Sequence, residues 1–206
     1  MIGKLWFWKR TGYIIGGFRF TMDDIEHGIL RGNSRTSWQI FGSSYFFSGD
    51  ERARYSLQKD PRIHFALNCG TLSSPAIKVY TTFDVGGELK SATKSFFATG
   101  ITVVQKEGSE VEVHLSRLFK WFYADFAEKK DGRYRLGQQV DPMLRWILDA
   151  FQWPERPIQS VELVRLAFMR LMIVRIMYKS YNWTTNDYQK AIIRRLLSCR
   201  RSRRRN

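Results

Sequence analysis

Short blocks of apolar and polar residues follow one another along the chain with two different periods. "GYIIGGFRFT" (12–21) sets apolar flanks about Gly16-Gly17. Paired glycines permit the positive φ of a two-residue turn, so this block predicts a β-hairpin. In "TMDDIEHGILRGN" (21–33), Met22, Ile25 and Ile29 recur at spacings of three and four, the period of a helix. Thr21 stands three residues before Asp24, the spacing of a capping box. Asp23, Asp24 and Glu26 place negative charge where the helix dipole favours it, and Gly32-Asn33 suits the stop. A helix of two to three turns carrying Glu26 and His27 is predicted.

Residues 33–60 read as a polar loop. "PRIHFALNCG" (61–70) alternates, with Ile63, Phe65, Leu67 and Cys69 on one face and His64, Ala66 and Asn68 on the other. That period of two predicts a strand ending at Gly70. "TLSSP" turns the chain and "AIKVY" predicts a second short strand. "VGGELKSATKSFFA" (85–98) predicts a helix, and "ITVVQKEGSEVEVHLS" (101–116) a hairpin about Glu107-Gly108. In "LSRLFKWFYADFA", Leu115, Leu118, Phe119, Phe122 and Phe126 share one helical face. "DPMLRWILDAF" opens on Asp141 as cap with Pro142 in the first turn. A further helix runs from Ser160 to about Ile173. "VRIMYKSYNWTTND" predicts a strand leading into a loop. Strands and helices mix without strict βαβ alternation, so the predicted class is α+β: a small mixed sheet with hairpins, packed against several amphipathic helices.

The chain's 206 residues, 44% hydrophobic and 15% aromatic, suffice for one well-packed core. We expect one domain over 1–189 and a basic, disordered tail over 190–206. The formal charge is +15. Lys190, Arg194, Arg195, Arg200, Arg201, Arg203, Arg204 and Arg205 carry about half of that excess, with no acidic residue among them. Weak, sequence-blind polyanion binding through 194–205 follows as an expectation. Arg165, Arg170 and Arg175 interrupt the longest apolar stretch, which excludes it as a membrane span. No secretory signal is visible; the cytosol is the expected compartment, and the tail permits the nucleus. Two cysteines and three histidines supply neither a disulfide framework nor a zinc site. No cofactor is expected: the serine elbow, the zinc-protease pair and the phosphate-binding glycine loops are all missing.

Cys69 is the only thiol in the body. A reactive thiolate needs a base or a positive neighbour. His27 and His64 are the available imidazoles, and Asp24, Glu26 or Asp187 could orient one of them. Strand alternation places His64 on the face opposite Cys69, so His27 is the better partner. One reading makes Cys69 the nucleophile, His27 the base and Glu26 its orienting carboxylate. The other makes Cys69 a buried, inert thiol beside Ile63, Phe65 and Leu67.

"DDIEHGILRGN", "DPRIHFALNCG" with the following "SSPAIKVY", the "LFKWFYADF" helix and "SYNWTTND" together resemble domain-of-unknown-function family 547, over roughly residues 10–187. The family has no established activity. It occurs beside leucine-zipper segments in plants, beside glutaredoxin-like and DEP domains in animals, and alone in bacteria. The resemblance implies motif positions at Glu26, His27, Arg31, His64, Asn68, Cys69, Ser73, Pro75, Trp183 and Asn186. Of these we take His64, Asn68, Ser73, Arg31, Trp183 and Asn186 as binding candidates. Many members have a second Cys where Ser74 stands, so a two-thiol redox role is not expected. Members also carry a helical stretch ahead of this region, and the chain is read as lacking it. The function expected is a non-catalytic interaction module of a larger multidomain protein, with protein partners. A thiol-dependent hydrolase or transferase, and polyanion binding by the tail, are the alternatives.

Overall fold

The computed structural model describes residues 7–36, 39, 44–107, 110–126, 143, 146–147 and 173–184. β1 (Gly12–Ile15) and β2 (Phe18–Thr21) form the expected hairpin, with Gly12 opposite Thr21 and Ile15 opposite Phe18. Gly16 and Gly17 take φ of 56° and 86°. Those values suit a turn whose twist matches the flanking strands and which side chains disfavour. The capping box forms as read: Thr21 N–H donates to Asp24 Oδ2 (2.7 Å), and Asp24 N–H donates to Thr21 Oγ1 (3.1 Å).

The helix that follows, Asp24–Leu30, is wound wider than an α-helix. Arg31 N–H reaches Glu26 O and Asn33 N–H reaches Gly28 O, both at 3.0 Å. Such i→i+5 turns are rare and cluster at functional sites. This one buries Asp24, His27, Gly28 and Arg31. A Cβ at residue 28 would sit 2.1 Å from the Phe46 ring, so only glycine lets this helix approach the loop at Phe46.

Residues 61–70 are not a strand. The Asp60 carboxylate accepts from Arg62 N–H (3.0 Å) and Pro61 opens a 3₁₀ helix, Pro61–Phe65. Ile63, His64 and Phe65 are buried consecutively, a pattern that no half-exposed strand produces. Local cap and proline chemistry therefore overrides the alternation. The alternation continues in sequence through Cys69 but has no structural meaning there, and Cys69 is exposed rather than buried beside Ile63 and Phe65. "AIKVY" is not a strand either. The Asn68 side-chain amide holds the Pro75 carbonyl at its start, and no ladder forms over 76–80.

α1 (Val85–Gly100) is capped by Asp84, whose Oδ1 accepts from Gly87 N–H at 3.0 Å. It buries Leu89, Ala92, Thr93 and Phe97, the stripe of an amphipathic helix. β3 (Thr102–Gln105) pairs antiparallel with β4 (Glu110–Leu115), and β4 pairs parallel with β5 (Ile173–Tyr178). The sheet is thus mixed, in the order β3-β4-β5. β4 sits at its centre, with Val111, Val113 and Leu115 buried between half-buried neighbours. The single helix expected over 115–127 is two, α2 (Arg117–Trp121) and α3 (Tyr123–Phe126). They divide at Phe122, where the winding tightens so that Asp125 N–H meets Phe122 O at 2.8 Å.

Phe65, Phe97, Phe119 and Phe126 pack with β4, Ile101, Met143 and Ile147 into one core. Burying each phenylalanine contributes about 1.5–3 kcal/mol. The fold is α+β. Of the helix expected from Asp141, Met143, Trp146 and Ile147 are described, and all three are helical. The helix expected from Ser160, Gly108 of the hairpin turn and the basic tail lie outside the described residues. Among the described residues no helix is long and apolar enough to cross a membrane.

Candidate functional site

The sequence candidates separate into two groups. Glu26, His27, Arg31 and His64 meet in the interior, around a residue the sequence reading passed over. Asp125 Oδ2 accepts from Arg31 Nε (2.6 Å) and His64 Nε2 (2.9 Å), and Asp125 Oδ1 accepts from Lys59 Nζ (3.1 Å). The side chains of Asp125, Arg31 and His64 are 4% exposed or less. Phe122 closes the cluster, with His64 stacked on its ring at 4.0 Å and the Arg31 guanidinium 4.8 Å from its centroid.

These contacts fix the protons. A guanidinium only donates, so the 2.6 Å contact from Arg31 Nη1 makes His27 Nδ1 an acceptor and leaves the ring proton on Nε2. A carboxylate only accepts, so His64 carries its proton on Nε2, toward Asp125. Burial, then the Arg31 charge, push the His27 pKa down to about 3. Burial likewise lowers His64, against the pull of Asp125. Burial works to raise Asp125, but hydrogen bonds from His64 and Arg31 outweigh it and hold the carboxyl well below the usual range. Glu26 stands at the edge of this cluster and is pushed up to about 7, chiefly by burial. Near neutral pH the cluster is thus one ion group of Asp125 with Arg31 and Lys59, flanked by two neutral imidazoles.

The second group surrounds Cys69, on the loop after the 3₁₀ helix. Asn68 shapes that loop: its Oδ1 accepts from Gly70 N–H (2.7 Å) while its amide holds Pro75. Ser73 ties the loop to the segment after β5, accepting from Asn182 N–H at 2.8 Å. Leu72 N–H donates to Thr184 O at 2.9 Å. The Cys69 sulfur then meets three hydroxyls: Ser74 Oγ at 2.9 Å, Tyr181 at 3.3 Å and Thr71 Oγ1 at 3.4 Å. Those hydroxyls bond one another, with Thr71 2.8 Å from Ser74 and 2.9 Å from Tyr181. Burial works to raise the thiol pKa, but the hydrogen bonds from Ser74, Thr71 and Tyr181 outweigh it and hold the thiol below its ordinary value. Trp183 is 48% exposed and packs on Tyr181 (4.6 Å) and Trp121 (5.5 Å). Neither His27 nor His64 is among the sulfur's hydrogen-bond partners. Asn186, and Asp187 with it, lie outside the described residues.

Ser74 and Tyr181 also line a cleft of 490 Å³ between the 72–78 loop, α1 and the end of β5. Phe65, Pro75, Ala92 and Phe96 give it an apolar wall, and Lys78, Arg117 and Lys179 are its charged residues. The size and the mixture fit a binding site for a small group. No cluster of potential metal ligands occurs among the described residues.

Of the functional residues missed in the sequence, Tyr181 and Ser74 lie inside segments already singled out. Asp125 had a faint signal, as the lone carboxylate on an aromatic helical stretch.

Residues 3–97 match the family model described as "Protein of unknown function, DUF547". Over this stretch, a little under half of the chain, the sequence is similar to that family. No curated protein and no solved structure matches the chain. The match is shorter than the resemblance expected from the sequence. It takes in Glu26, His27, Arg31, His64, Asn68, Cys69 and Ser73, and stops before Asp125 and Tyr181, which complete the two groups.

Proposed function

We propose that the chain is a non-catalytic interaction module, with the cleft beside Cys69 as its binding surface. The observation that carries this reading is the grip of Arg31 on His27 Nδ1. A general base must offer a lone pair to the proton it takes. His27 has committed one nitrogen to Arg31 and carries its proton on the other. His64 is turned to Asp125. The thiol is then left among hydroxyls, with no imidazole bonded to it, beside a cleft shaped to hold a group. The company the family keeps in larger proteins supports the same view.

A second reading has one observation in its favour. Cys69 is exposed, and three hydroxyls hold its thiol below the ordinary value, as a thiol nucleophile requires. It would use Cys69 as nucleophile and His27 as base, with Glu26 orienting the ring.

The two readings separate on the rate of iodoacetamide alkylation of Cys69 against pH, followed in a Cys199→Ser background. For the module, the profile is that of a single thiol and is the same in His27→Asn. Rapid alkylation at pH 6 that disappears in His27→Asn would replace the module with the thiol enzyme.

A further inference from the structure

We infer that the cleft takes an organic carboxylate carried on an apolar body. The inference rests on the binding-module reading and names the ligand class for the same site.

The charge around the cleft is one-sided. Lys78, Arg117 and Lys179 line it, with no aspartate or glutamate. Several cations elsewhere in the fold are matched with acids, Arg31 and Lys59 with Asp125, Arg52 with Asp50, Arg62 with Asp60 and Arg175 with Glu110. Among the described residues none of the three cleft cations has an acidic partner. Lys78 Nζ donates to Ser95 Oγ (3.4 Å), and Lys179 Nζ donates to Thr99 O (3.3 Å) and Thr102 Oγ1 (2.8 Å). Ser95 and Thr99 are one helical turn apart on α1, where neighbouring positions lie about 5–6 Å from each other. Both ammonium groups are therefore anchored on residues of or next to α1, and neither has an acidic partner among the described residues. A carboxylate is the acceptor that such unmatched cations lack.

The rest of the lining decides what carries the carboxylate. Phe65 is 1% exposed and Ala92 3%, so the inner wall is closed hydrocarbon. Phe96 and Pro75 continue it. A bare inorganic anion would leave this wall unfilled. A molecule with a hydrocarbon or ring body places its apolar part there and its charge at the lysines. The hydroxyls of Ser73, Ser74 and Tyr181 remain at the loop side of the cleft as neutral donors.

The test is calorimetric titration of the full chain with octanoate, octylammonium, 1-octanol and acetate. Octanoate should bind about tenfold more tightly than octylammonium or octanol, as one charge-assisted contact implies, and acetate should give no measurable heat. Lys78→Gln and Lys179→Gln should each erase most of the preference for octanoate over octanol. Ser95→Trp, on the exposed side of α1, should block all binding without disturbing the core. Equal affinity for octanoate and octanol would overturn the carboxylate and leave a neutral binding cleft. Octanoate binding that survives all three substitutions would place the ligand elsewhere on the chain and overturn the inference, as would no octanoate heat at all. None of these results depends on His27, so the alkylation profile still judges the module reading separately.

Discussion

The two polar groups of this fold are built from adjacent stretches of one chain and end in opposite states. Around Asp125, donors and acceptors saturate one another: Arg31, Lys59 and His64 converge on one carboxylate, and Arg31 also holds His27. Around Cys69, an exposed thiol meets three hydroxyls, of which only that of Thr71 belongs to a buried residue, beside a cleft with unmatched cations. The first arrangement is closed and internal, which is what a polar group needs when it is taken out of water. The second is open, with its thiol in reach of solvent. Residues that look equally reactive in sequence, two imidazoles and a thiol, are thereby divided between holding the fold and meeting the solvent.

If that division holds, the largest effect belongs to Asp125. Asp125→Asn leaves the Arg31 guanidinium buried beside a neutral amide. Breaking one partner of a buried pair costs about 3–5 kcal/mol, a large share of a domain's total stability. Urea unfolding at pH 7 should show this loss, while the alkylation profile of Cys69 below the unfolding transition stays where it was. A loss under about 1 kcal/mol would mean that the cluster does not hold the fold.

Glu26 and His27 give the closed group opposite pH slopes. Glu26 titrates near 7 in the fold against 4.5 outside it. It therefore stabilises the fold fully below about pH 4.5 and progressively less as the pH rises through 7. His27 titrates near 3 against 6.5, so its contribution is full above pH 6.5 and is lost as the pH falls toward 3. Between pH 4.5 and 6.5 the two oppose each other. Glu26→Gln removes one slope. The variant should gain about 1–2 kcal/mol at pH 8, since the carboxyl is half-buried and water screens part of the shift. It should gain little at pH 4.5, and its stability should fall more steeply with acid than that of the parent chain. A gain that is the same at every pH would show that the carboxylate is not held near neutrality.

How legible was this in the sequence? The Gly16-Gly17 hairpin, the Thr21–Asp24 box, α1 and the β3–β4 hairpin each rest on local signals, and each formed. The stretch 61–70 misled because alternation is only a pattern: Asp60 and Pro61 set the backbone before burial could choose a face. The candidate residues stand out in the sequence, but their grouping does not. Asp125 lies 94 residues from Arg31 and 61 from His64, and Tyr181 lies 112 from Cys69. Contacts that distant are settled by the packing of the 3₁₀ helix on α3, and of the segment after β5 on α2 and the loop at Cys69. No local period encodes them, so two interleaved sets of residues read as one pocket.

The smallest effects on stability should come from the open group, and they sharpen the contrast most. Ser74→Ala and Tyr181→Phe each remove one hydroxyl from a partly solvated cluster, where water can replace it. Each should cost no more than about 1 kcal/mol. Their effect on the thiol is separate from that cost. Ser74 Oγ is the nearest hydroxyl to the sulfur and does most to lower its pKa, with Thr71 and then Tyr181 behind it. Ser74→Ala should therefore move the alkylation profile of Cys69 toward alkaline pH further than Tyr181→Phe does. Neither substitution should change the pH dependence of unfolding set by Glu26 and His27. If Tyr181→Phe moved the thiol more than Ser74→Ala, the ring stacked against Trp121 and Trp183 would be the element that tunes Cys69. If either variant altered the acid limb of unfolding, the two groups would be one coupled system, and dividing them into a closed and an open site would be wrong.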